Sequence, residues 1–348
     1  MPRLWRLTLT GLKRYDGTMA LSDKYGREIR DLRLSLTDRC NFRCFYCLPT
    51  GKPALARKET ILTFEEIFRV SSIFVSLGIE KIRLTGGEPL IRRDVPLLVE
   101  KLATLKPQLK DIALTTNGYD FPRFAEALKQ AGLDRVTLSL DSLRRERFKE
   151  ITGVDALDRA LAAIDAAKSL GFEPVKVNAV IVRGRNDDEL ADFARFARER
   201  DVTMRFIEFM PLDSEQSWTR EAMVSGAEMR DRISEVFPLE LKETKRGAGT
   251  SWKYAFADGA PGGIGIIAPV TDMFCGQCSR VRLTADGQIR TCLFSEREHD
   301  LRSLLRSGAD DEQIVAFIES CVYQKEASHR INDPDFVQPL RTMSFIGG

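Results

Sequence analysis

Apolar residues change their spacing repeatedly between Leu32 and Met210, and these changes predict the fold. Short runs with the period of a β-strand are separated by longer segments in which apolar residues recur every three or four positions. A Thr63-x-x-Glu66 capping box opens the first helical segment. Strands are predicted at Arg33–Leu36, Lys81–Leu84, Ile112–Thr115, Arg135–Leu140, Val175–Val182 and Met204–Phe209. Helices are predicted after Thr63, from Asp94, and over about 122–131, 156–170, 187–200 and 226–236.

Six repeats of strand and helix favour parallel strands joined by right-handed crossovers. The predicted fold is therefore α/β, a partial (βα)6 barrel of the TIM type, with an open doubly wound sheet as the alternative. After Met210 the pattern changes. We predict a loosely held N-terminal extension over 1–31, the partial barrel over 32–212 and a separate C-terminal region over 213–348.

Chemically distinctive residues follow the predicted strands. A cysteine-rich loop comes after the first strand, Gly86-Gly87-Glu88-Pro89 after the second, and Met210 after the sixth. Active sites of α/β barrels lie on the loops after the carboxyl ends of the strands, so the pattern predicts one active site there. The Gly-Gly pair is expected to aim backbone N–H groups at a ligand carboxylate or phosphate, although an ordinary tight turn explains the same residues.

Cations occur inside the predicted strands. Lys81 and Arg83 share one face of the second strand, and Arg33 and Lys176 occupy the first and the fifth. Parallel strands covered on both faces are normally apolar, and a buried charge needs a partner. Two explanations stay open, namely structural pairing with Asp or Glu inside the barrel, or a polyanionic ligand such as a nucleoside phosphate.

Two features of the C-terminal region bear on the fold. The segment 263–268 resembles a dinucleotide fingerprint by letter, but Pro269 follows it, so we predict a glycine-broken strand instead of a helix start. Asp286-Gly287 predicts a hairpin whose two-residue turn pairs Val281 with Cys292. The short uncharged terminus after Met343 is by itself typical of a frayed end.

Composition and charge narrow the class of protein. The chain has 348 residues, with 43% hydrophobic and 30% charged residues, as expected of a globular protein. A net charge of +2 gives no reason to expect nucleic acid as a partner. No apolar run approaches the length of a membrane span, and no secretory signal is recognisable. These features, with the cysteine pattern described next, predict a cytoplasmic protein without a membrane partner.

The seven cysteines form two triplets and one single residue, Cys321. Clustered thiolates favour zinc or an iron–sulfur cluster, and three ligands leave one iron of a four-iron cluster open. A zinc site with Cys321 as the fourth ligand is the alternative. Cys321 lies on an apolar helical stripe, which predicts a core thiol instead. The triplets are Cys40, Cys44, Cys47 (C-x3-C-x2-C) and Cys275, Cys278, Cys292 (C-x2-C-x13-C).

These motifs resemble a known family. The first triplet, with an aromatic residue before its third cysteine, and the Gly-Gly-Glu-Pro turn resemble the radical S-adenosylmethionine (SAM) superfamily. The second triplet, Arg280-Val281-Arg282 and the terminal Gly-Gly resemble one family within it, the GTP 3′,8-cyclases, which catalyse the first step of molybdenum cofactor biosynthesis. The resemblance covers Leu32 to Gly348.

The resemblance implies two 4Fe–4S clusters, one on each triplet, with SAM on the open iron of the first and the guanine of GTP on that of the second. A radical derived from SAM would take the 3′ hydrogen of GTP, and the resulting carbon radical would attack C8. The implied SAM contacts are Tyr46, Gly87, Glu88, Ser139 and Met210. The implied GTP contacts are Arg33, Lys81, Arg83, Thr115, Lys176, Arg280, Val281 and Arg282. The implied catalytic residues are Arg280, Arg282, Gly347 and Gly348.

The resemblance also implies partners, namely a reductase as electron donor, the downstream cyclic pyranopterin monophosphate synthase, and a second copy of the chain in a homodimer. Two other functions stay open from the residues. One is a radical SAM enzyme with an auxiliary cluster that acts on another substrate, such as a peptide. The other is a zinc-stabilised binding barrel without catalytic activity.

Overall fold

The computed structural model of the protein describes residues 20–48, 55–212, 218–339 and 341–347. Its described strands are β1 (Asp31–Ser35), β2 (Lys81–Thr85), β3 (Asp111–Thr116), β4 (Arg135–Ser139), β5 (Lys176–Ile181), β6 (Thr203–Glu208), β7 (Leu239–Leu241), β8 (Trp252–Phe256), β9 (Gly263–Ile267), β10 (Arg280–Leu283), β11 (Gln288–Arg290) and β12 (His299–Asp300). Its described α-helices are α1 (Phe64–Ser76), α2 (Val95–Ala103), α3 (Phe121–Gln130), α4 (Arg145–Thr152), α5 (Leu157–Ser169), α6 (Leu190–Arg200), α7 (Gly226–Ser234), α8 (Leu301–Arg306), α9 (Asp311–Tyr323) and α10 (Met343–Ile346). All six predicted strands are present, each within two residues of its predicted bounds.

One sheet in the order β12-β11-β10-β1-β2-β3-β4-β5-β6-β9-β8-β7 forms the centre of the fold. Strands β1 to β6 stand side by side in chain order and are parallel, which is the arrangement of a barrel and not of a doubly wound sheet. The sheet does not close, so the prediction of a partial α/β barrel is confirmed. The parallel part of the sheet contains two more strands than predicted, because β10 pairs in parallel with β1 and β9 pairs in parallel with β6. The predicted boundary at residue 212 stays a proposal.

Local sequence explains where the outer helices begin and which face they bury. The Thr63 hydroxyl accepts the Glu66 N–H (3.2 Å) and the Glu66 carboxylate accepts the Thr63 N–H (2.8 Å), so the predicted capping box is present. Ile67, Val70 and Phe74 of α1 are then fully buried in the main core. Helix α4 was not predicted, because its charged sequence shows little apolar periodicity. In the described part of the chain, no helix is long and apolar enough to cross a bilayer.

The expectation of a loosely held N-terminal extension is wrong for residues 20–31. The side chains of Leu21 and Ile29 are 4% and 1% exposed and belong to the main core. The Leu21 N–H donates to the carbonyl of Leu77 at the end of α1 (3.1 Å). Leu21 and Ile29 are separated by polar residues, so no apolar periodicity in the sequence indicates that they are buried. Residues before 20 lie outside the described part of the chain.

The predicted two-residue turn between β10 and β11 is also wrong. Arg282 pairs with Arg290, and the Thr284 N–H donates to the Gln288 carbonyl (2.9 Å), so a loop of three residues (285–287) and not two connects the strands. Gly287 is in the left-handed region (φ 78°) and donates its N–H to the carbonyl of Thr284, as in three-residue hairpin loops. A shift of one residue exchanges the two faces of a strand. The observed register therefore carries Cys292 toward the face of Arg282 and Arg290, away from that of Val281.

Candidate active site

The inner face of the sheet lines one large cavity of about 780 Å³. The cavity runs from residues at the strand starts, such as Asp31 and Lys81, to loops after the strand ends, such as those of Gly87 and Met210. The volume lies within the range usual for ligand sites in proteins. Both cysteine triplets line this cavity, so the structure brings together two motifs that are more than two hundred residues apart in the chain.

The first triplet lies on the loop after β1. Cys40, Cys44 and Cys47 are free thiols that are partly buried. Sulfur contacts are few, since Cys40 accepts the Phe42 N–H (3.4 Å) and a long contact from Asn117 Nδ2 (3.9 Å). Burial raises the pKa of Cys40 to about 11 and that of Cys47 to about 12. Buried thiols with few donors around them become thiolates when a metal takes up their charge.

The second triplet lies on the other side of the cavity. Cys275 and Cys278 bound a short 3-10 turn just before β10, and Cys292 follows β11. Burial is the largest influence on the pKa of Cys278 and raises it, but the charges of Arg280 and Lys325 with hydrogen bonds from Arg280 lower the pKa to about 7. The sulfur of Cys278 accepts from Arg280 Nη2 at 3.3 Å.

The arrangement of the thiols fits clusters better than zinc. In the described part of the chain, no three His, Cys, Asp or Glu side chains could hold a single metal ion. The thiolates of a four-iron cluster bind separate irons and so are spread out. Cys321 is 1% exposed in the main core and does not line the cavity, so the prediction of a core thiol is confirmed.

The cations within the strands face the cavity, and they are of two kinds. Lys81 lies 3.0 Å from Asp31 and 4.0 Å from Asp111, so structural pairing explains this residue. Arg33 and Arg83 have no such ion pair in the described part of the chain. Arg83 Nη1 donates to the hydroxyls of Thr115 (3.1 Å) and Thr137 (3.2 Å), and the buried Nε of Arg33 has no partner.

Two further cations stand opposite, on β5 and β6. Burial, followed by the charges of Arg135, Arg205 and Arg83, lowers the pKa of Lys176 to about 7. Burial and neighbouring arginines likewise lower the pKa of Arg205 to about 9, and its Nε is unpaired. Within the described residues, four cations of the cavity thus have no ion-pair partner, namely Arg33, Arg83, Lys176 and Arg205. An anion such as a triphosphate would supply the missing partners.

The sequence did not single out Arg205 as a ligand contact, and Val281, which was expected to contact GTP, faces the core instead. Arg205 is the inward-facing central residue of β6, and its signal was the same as that of Lys176, a cation between apolar residues of a strand. The side chain of Val281 is 1% exposed in the core, because it faces away from Arg280 and Arg282 on β10. The other residues expected to contact SAM or GTP all line the cavity.

The Gly-Gly-Glu-Pro turn packs against the first cysteine loop. A Cβ on Gly87 would lie 2.2 Å from the Arg39 carbonyl oxygen, so no larger residue fits there. The Gly87 N–H donates to the Thr37 carbonyl (2.7 Å) and the Glu88 N–H to the Arg39 carbonyl (2.8 Å). The expectation that the N–H groups of the Gly-Gly pair point at a ligand is therefore wrong for Gly87. The turn fixes the loop that carries the thiols.

Two buried carboxyl groups complete this end of the cavity. Glu88 accepts the Thr116 hydroxyl (2.7 Å) and the Asn117 N–H (2.8 Å), and burial raises its pKa to about 7. Asp141 accepts the Tyr46 hydroxyl and the Val180 N–H (2.9 Å), and burial raises its pKa to about 6. Both groups are held rigidly by neutral donors, so a cationic group of a ligand would lower the pKa of each.

The described C-terminal residues pack against the site and Met343 lines the cavity, so the interpretation as a frayed end is wrong for 341–347. Ser344 and Ile346 are 1% and 0% exposed. Arg282 Nη1 donates to the carbonyl oxygen of Gly347. A Cβ on Gly347 would lie 2.7 Å from the Thr85 hydroxyl oxygen. Gly348 lies outside the described residues.

Comparisons with family models divide the chain into two matched parts. The model described as the radical SAM superfamily matches residues 34–197. The model described as Molybdenum Cofactor Synthesis C matches residues 202–331.

Curated proteins named GTP 3′,8-cyclase match nearly the whole chain. The protein from Streptomyces coelicolor is 46% identical over 334 residues, covering 96% of this chain and 98% of that relative. The protein from Rhodopirellula baltica is 44% identical, covering 95% of this chain and 92% of the relative.

Solved structures show the same fold at low identity. Streptococcus suis SuiB bound to its precursor peptide SuiA superposes with a TM-score of 0.63 at 14% identity, covering 86% of this chain and 67% of SuiB. Native anSMEcpe with bound AdoMet superposes with a TM-score of 0.57 at 15% identity, covering 89% of this chain and 93% of that protein. At such identities the likeness concerns the fold alone and does not favour a peptide substrate.

Proposed function

The chain belongs to the GTP 3′,8-cyclase family of radical SAM enzymes, and we propose that its cavity converts GTP to (8S)-3′,8-cyclo-7,8-dihydroguanosine 5′-triphosphate, the first step of molybdenum cofactor biosynthesis. One observation carries the proposal. A single cavity is lined by both cysteine triplets and by cations that lack carboxylate partners. This arrangement can hold two clusters and a polyanionic nucleotide together.

SAM binds at the end of the cavity formed by the first triplet. Cys40, Cys44 and Cys47 would hold a 4Fe–4S cluster, and Glu88 would meet the amino group of SAM. Tyr46, Gly87, Ser139 and Met210 line the same end. When bound, this cluster supplies the electron that cleaves SAM and so starts the radical reaction. The rigid hydrogen bonds of Glu88 and Asp141 keep the pocket shape fixed while SAM enters.

GTP binds between this end and the second triplet. Cys275, Cys278 and Cys292 would hold the second cluster, which would bind the guanine. The residues proposed to bind the nucleotide are Arg33, Lys81, Arg83, Thr115, Lys176, Arg280 and Arg282. We add Arg205 to them, because it lines the same cavity. Charge-assisted hydrogen bonds to phosphate oxygens would satisfy the unpaired guanidinium nitrogens of Arg33 and Arg205. Holding the ribose and the guanine between two fixed ends aligns the atoms that react.

The C-terminal tail closes the site beside Arg282. Gly347 contacts Arg282 and fills the space against Ser35 and Thr85. In catalysis, Gly347 holds the substrate in place and excludes water from the radical. We assign the same role to Arg280, Arg282 and Gly348. The reductase, the downstream synthase, the homodimer and the cytoplasmic location stay proposals that rest on family membership.

Metal analysis with cysteine variants tests the proposal. Anaerobically reconstituted protein should contain about eight irons per chain, and the Cys275→Ala/Cys278→Ala/Cys292→Ala variant about four. Cys321→Ala is the matched control, since it removes a buried thiol outside the cavity. The wild type should form 5′-deoxyadenosine faster when GTP is added, and the triple variant should not respond to GTP. About four irons with one zinc, or turnover with a peptide but not with GTP, would contradict the proposal.

A further inference from the structure

Three backbone carbonyls at the second triplet accept hydrogen bonds from two buried cations, Arg27 and Lys325. The carbonyls belong to Cys275, to Arg280 and to Thr291, which directly precedes Cys292. Arg27 is 8% exposed and Lys325 is 3% exposed. Neither lines the cavity, whereas the three thiols of the second triplet do.

Arg27 fixes the segment of Cys275. Its Nη1 donates to the Cys275 carbonyl (2.8 Å) and to the Ala327 carbonyl (2.8 Å), and its Nη2 donates to the Glu326 carbonyl. Asp23 neutralises the guanidinium through Nε (2.5 Å), and this carboxylate is itself completely buried. The N-terminal turn, the loop of Cys275 and the chain after α9 are therefore joined at one side chain.

Lys325 fixes the other two segments. Its ammonium group donates to the Arg280 carbonyl on β10 (3.0 Å) and to the Thr291 carbonyl after β11. In the described part of the chain it has no carboxylate within ion-pair distance. The neighbouring Glu326 carboxylate accepts the Thr291 hydroxyl instead (2.6 Å). The ammonium group of Lys325 therefore lies against the strand that follows Cys278 and the residue that precedes Cys292.

Among the residues that the structure describes, the first triplet has no such buried cation beside it. The buried carboxyl groups of Glu88 and Asp141 lie near it, and the two cations adjacent to its cysteines in sequence, Arg39 and Arg43, are exposed. The two triplets thus differ in the sign of the charge fixed beside them. A negative cluster with three thiolate ligands is stabilised by a fixed positive charge, and more so after reduction, which adds a further negative charge.

We propose that Arg27 and Lys325 are positioning residues for the second cluster. Arg27 fixes the position of Cys275. Lys325 fixes the distance between Cys278 and Cys292 and raises the reduction potential of the cluster. The inference rests on the proposed function, because it assumes that the second triplet binds a 4Fe–4S cluster. Because the Arg27–Asp23 pair is neutral, Arg27 affects retention of the cluster and not its potential.

The test uses the full chain with Cys40→Ala, Cys44→Ala and Cys47→Ala, so that only the second cluster is observed. This parent should contain about four irons per chain after anaerobic reconstitution. A parent without iron, or with zinc, would contradict the proposed function itself. That outcome is distinct from a failure of the proposal about Arg27 and Lys325, which is tested by the variants added to this parent. Added to this parent, Lys325→Met should lower the iron content and shift the midpoint potential of the remaining clusters to more negative values. Lys325→Arg should restore the potential.

Arg27→Met should release iron to a chelator several-fold faster than the parent and leave the midpoint potential unchanged. Arg69→Met is the matched control, because Arg69 also holds a backbone carbonyl, that of Ala309 (2.7 Å), on the outer helices. Iron loss of the same size in Arg69→Met would overturn the proposal, since it would indicate a general loss of folding. Parent-like iron content and potential in Lys325→Met would overturn it, as would equal potentials in Lys325→Met and Lys325→Arg.

Discussion

The guanidinium of Arg282 donates a hydrogen bond to the carbonyl oxygen of Gly347, so the strand that lies between Cys278 and Cys292 of the second triplet holds the penultimate residue of the chain. The same tail reaches the first triplet, because the backbone of Ser344 donates a hydrogen bond to the sulfur of Cys47. One short segment thereby contacts elements of both cysteine sites. The position of this tail leads to the first two predictions.

Gly347→Ala should reduce kcat about tenfold, because the new Cβ would lie 2.7 Å from the Thr85 hydroxyl and the residue is in the left-handed region at φ 78°. The iron content should not change. Steady-state rates with GTP and SAM measure the effect. Gly308→Ala is the control, since Gly308 has a similar φ of 86° and no atom within 4 Å of the added Cβ. Equal rates for Gly347→Ala and wild type would contradict a role of the tail in the site.

Arg341→Met should lower kcat several-fold by releasing the start of the tail. Arg341 pairs with Asp286 (3.0 Å) in the hairpin loop and with Glu298 (2.9 Å). Partly exposed pairs of this kind contribute about 1 kcal/mol, enough to increase the population of a detached tail. Limited proteolysis of the C-terminus measures detachment directly. Unchanged proteolysis together with a lower rate would show that the pair does not act through the tail.

Arg205→Met should raise the KM for GTP by about ten- to a hundredfold, since a charge-assisted hydrogen bond to phosphate would be lost. Uncoupled cleavage of SAM without GTP should stay unchanged, because Arg205 lies within β6, whereas the first triplet lies on the loop after the carboxyl end of β1. Arg198→Met is the matched control, as Arg198 pairs with Asp258 on the outside of the barrel (2.6 Å). Equal KM values for both variants would remove Arg205 from the GTP site.

GTP affinity should fall as the pH rises through about 7, because Lys176 loses its proton there in the free protein. The charged groups around it are Arg135, Arg205, Arg83 and Lys81, all cations that oppose its protonation. Lys176→Met should bind GTP more weakly at pH 6 and lack this part of the pH dependence. Binding titrations at pH 6 and pH 9 compare the two proteins, and parallel pH profiles would contradict the prediction.

The same lowered pKa has an effect on stability. Between the folded pKa of about 7 and the unfolded value of 10.5, the unfolded chain binds more protons at this residue, so its contribution to the free energy of unfolding rises with pH. Wild type should therefore gain stability relative to Lys176→Met from pH 7 to pH 10. Urea unfolding under anaerobic conditions measures the difference, and a constant difference would contradict the assigned pKa.

The sequence by itself determined the α/β class, the six strands of the partial barrel, the spacing of both triplets and the core position of Cys321. These features are local, since periodicity, capping and ligand spacing are set by residues close together in the chain. The tertiary structure decided which cations have partners. Lys81 and Lys176 look alike within their strands, but Lys81 lies beside Asp31 on the neighbouring strand, whereas Lys176 lies among arginines.

The hairpin register and the burial of the two chain ends were also decided only in the folded chain. One extra residue in the loop before Gly287 changes which side chains face the cavity, and the letters Asp286-Gly287 fit both loop lengths. Leu21, Ile29 and the tail are buried by elements far away in the sequence. Contacts between distant segments depend on how strands and helices assemble in space. The residues of one segment therefore do not indicate which other segment will pack against them.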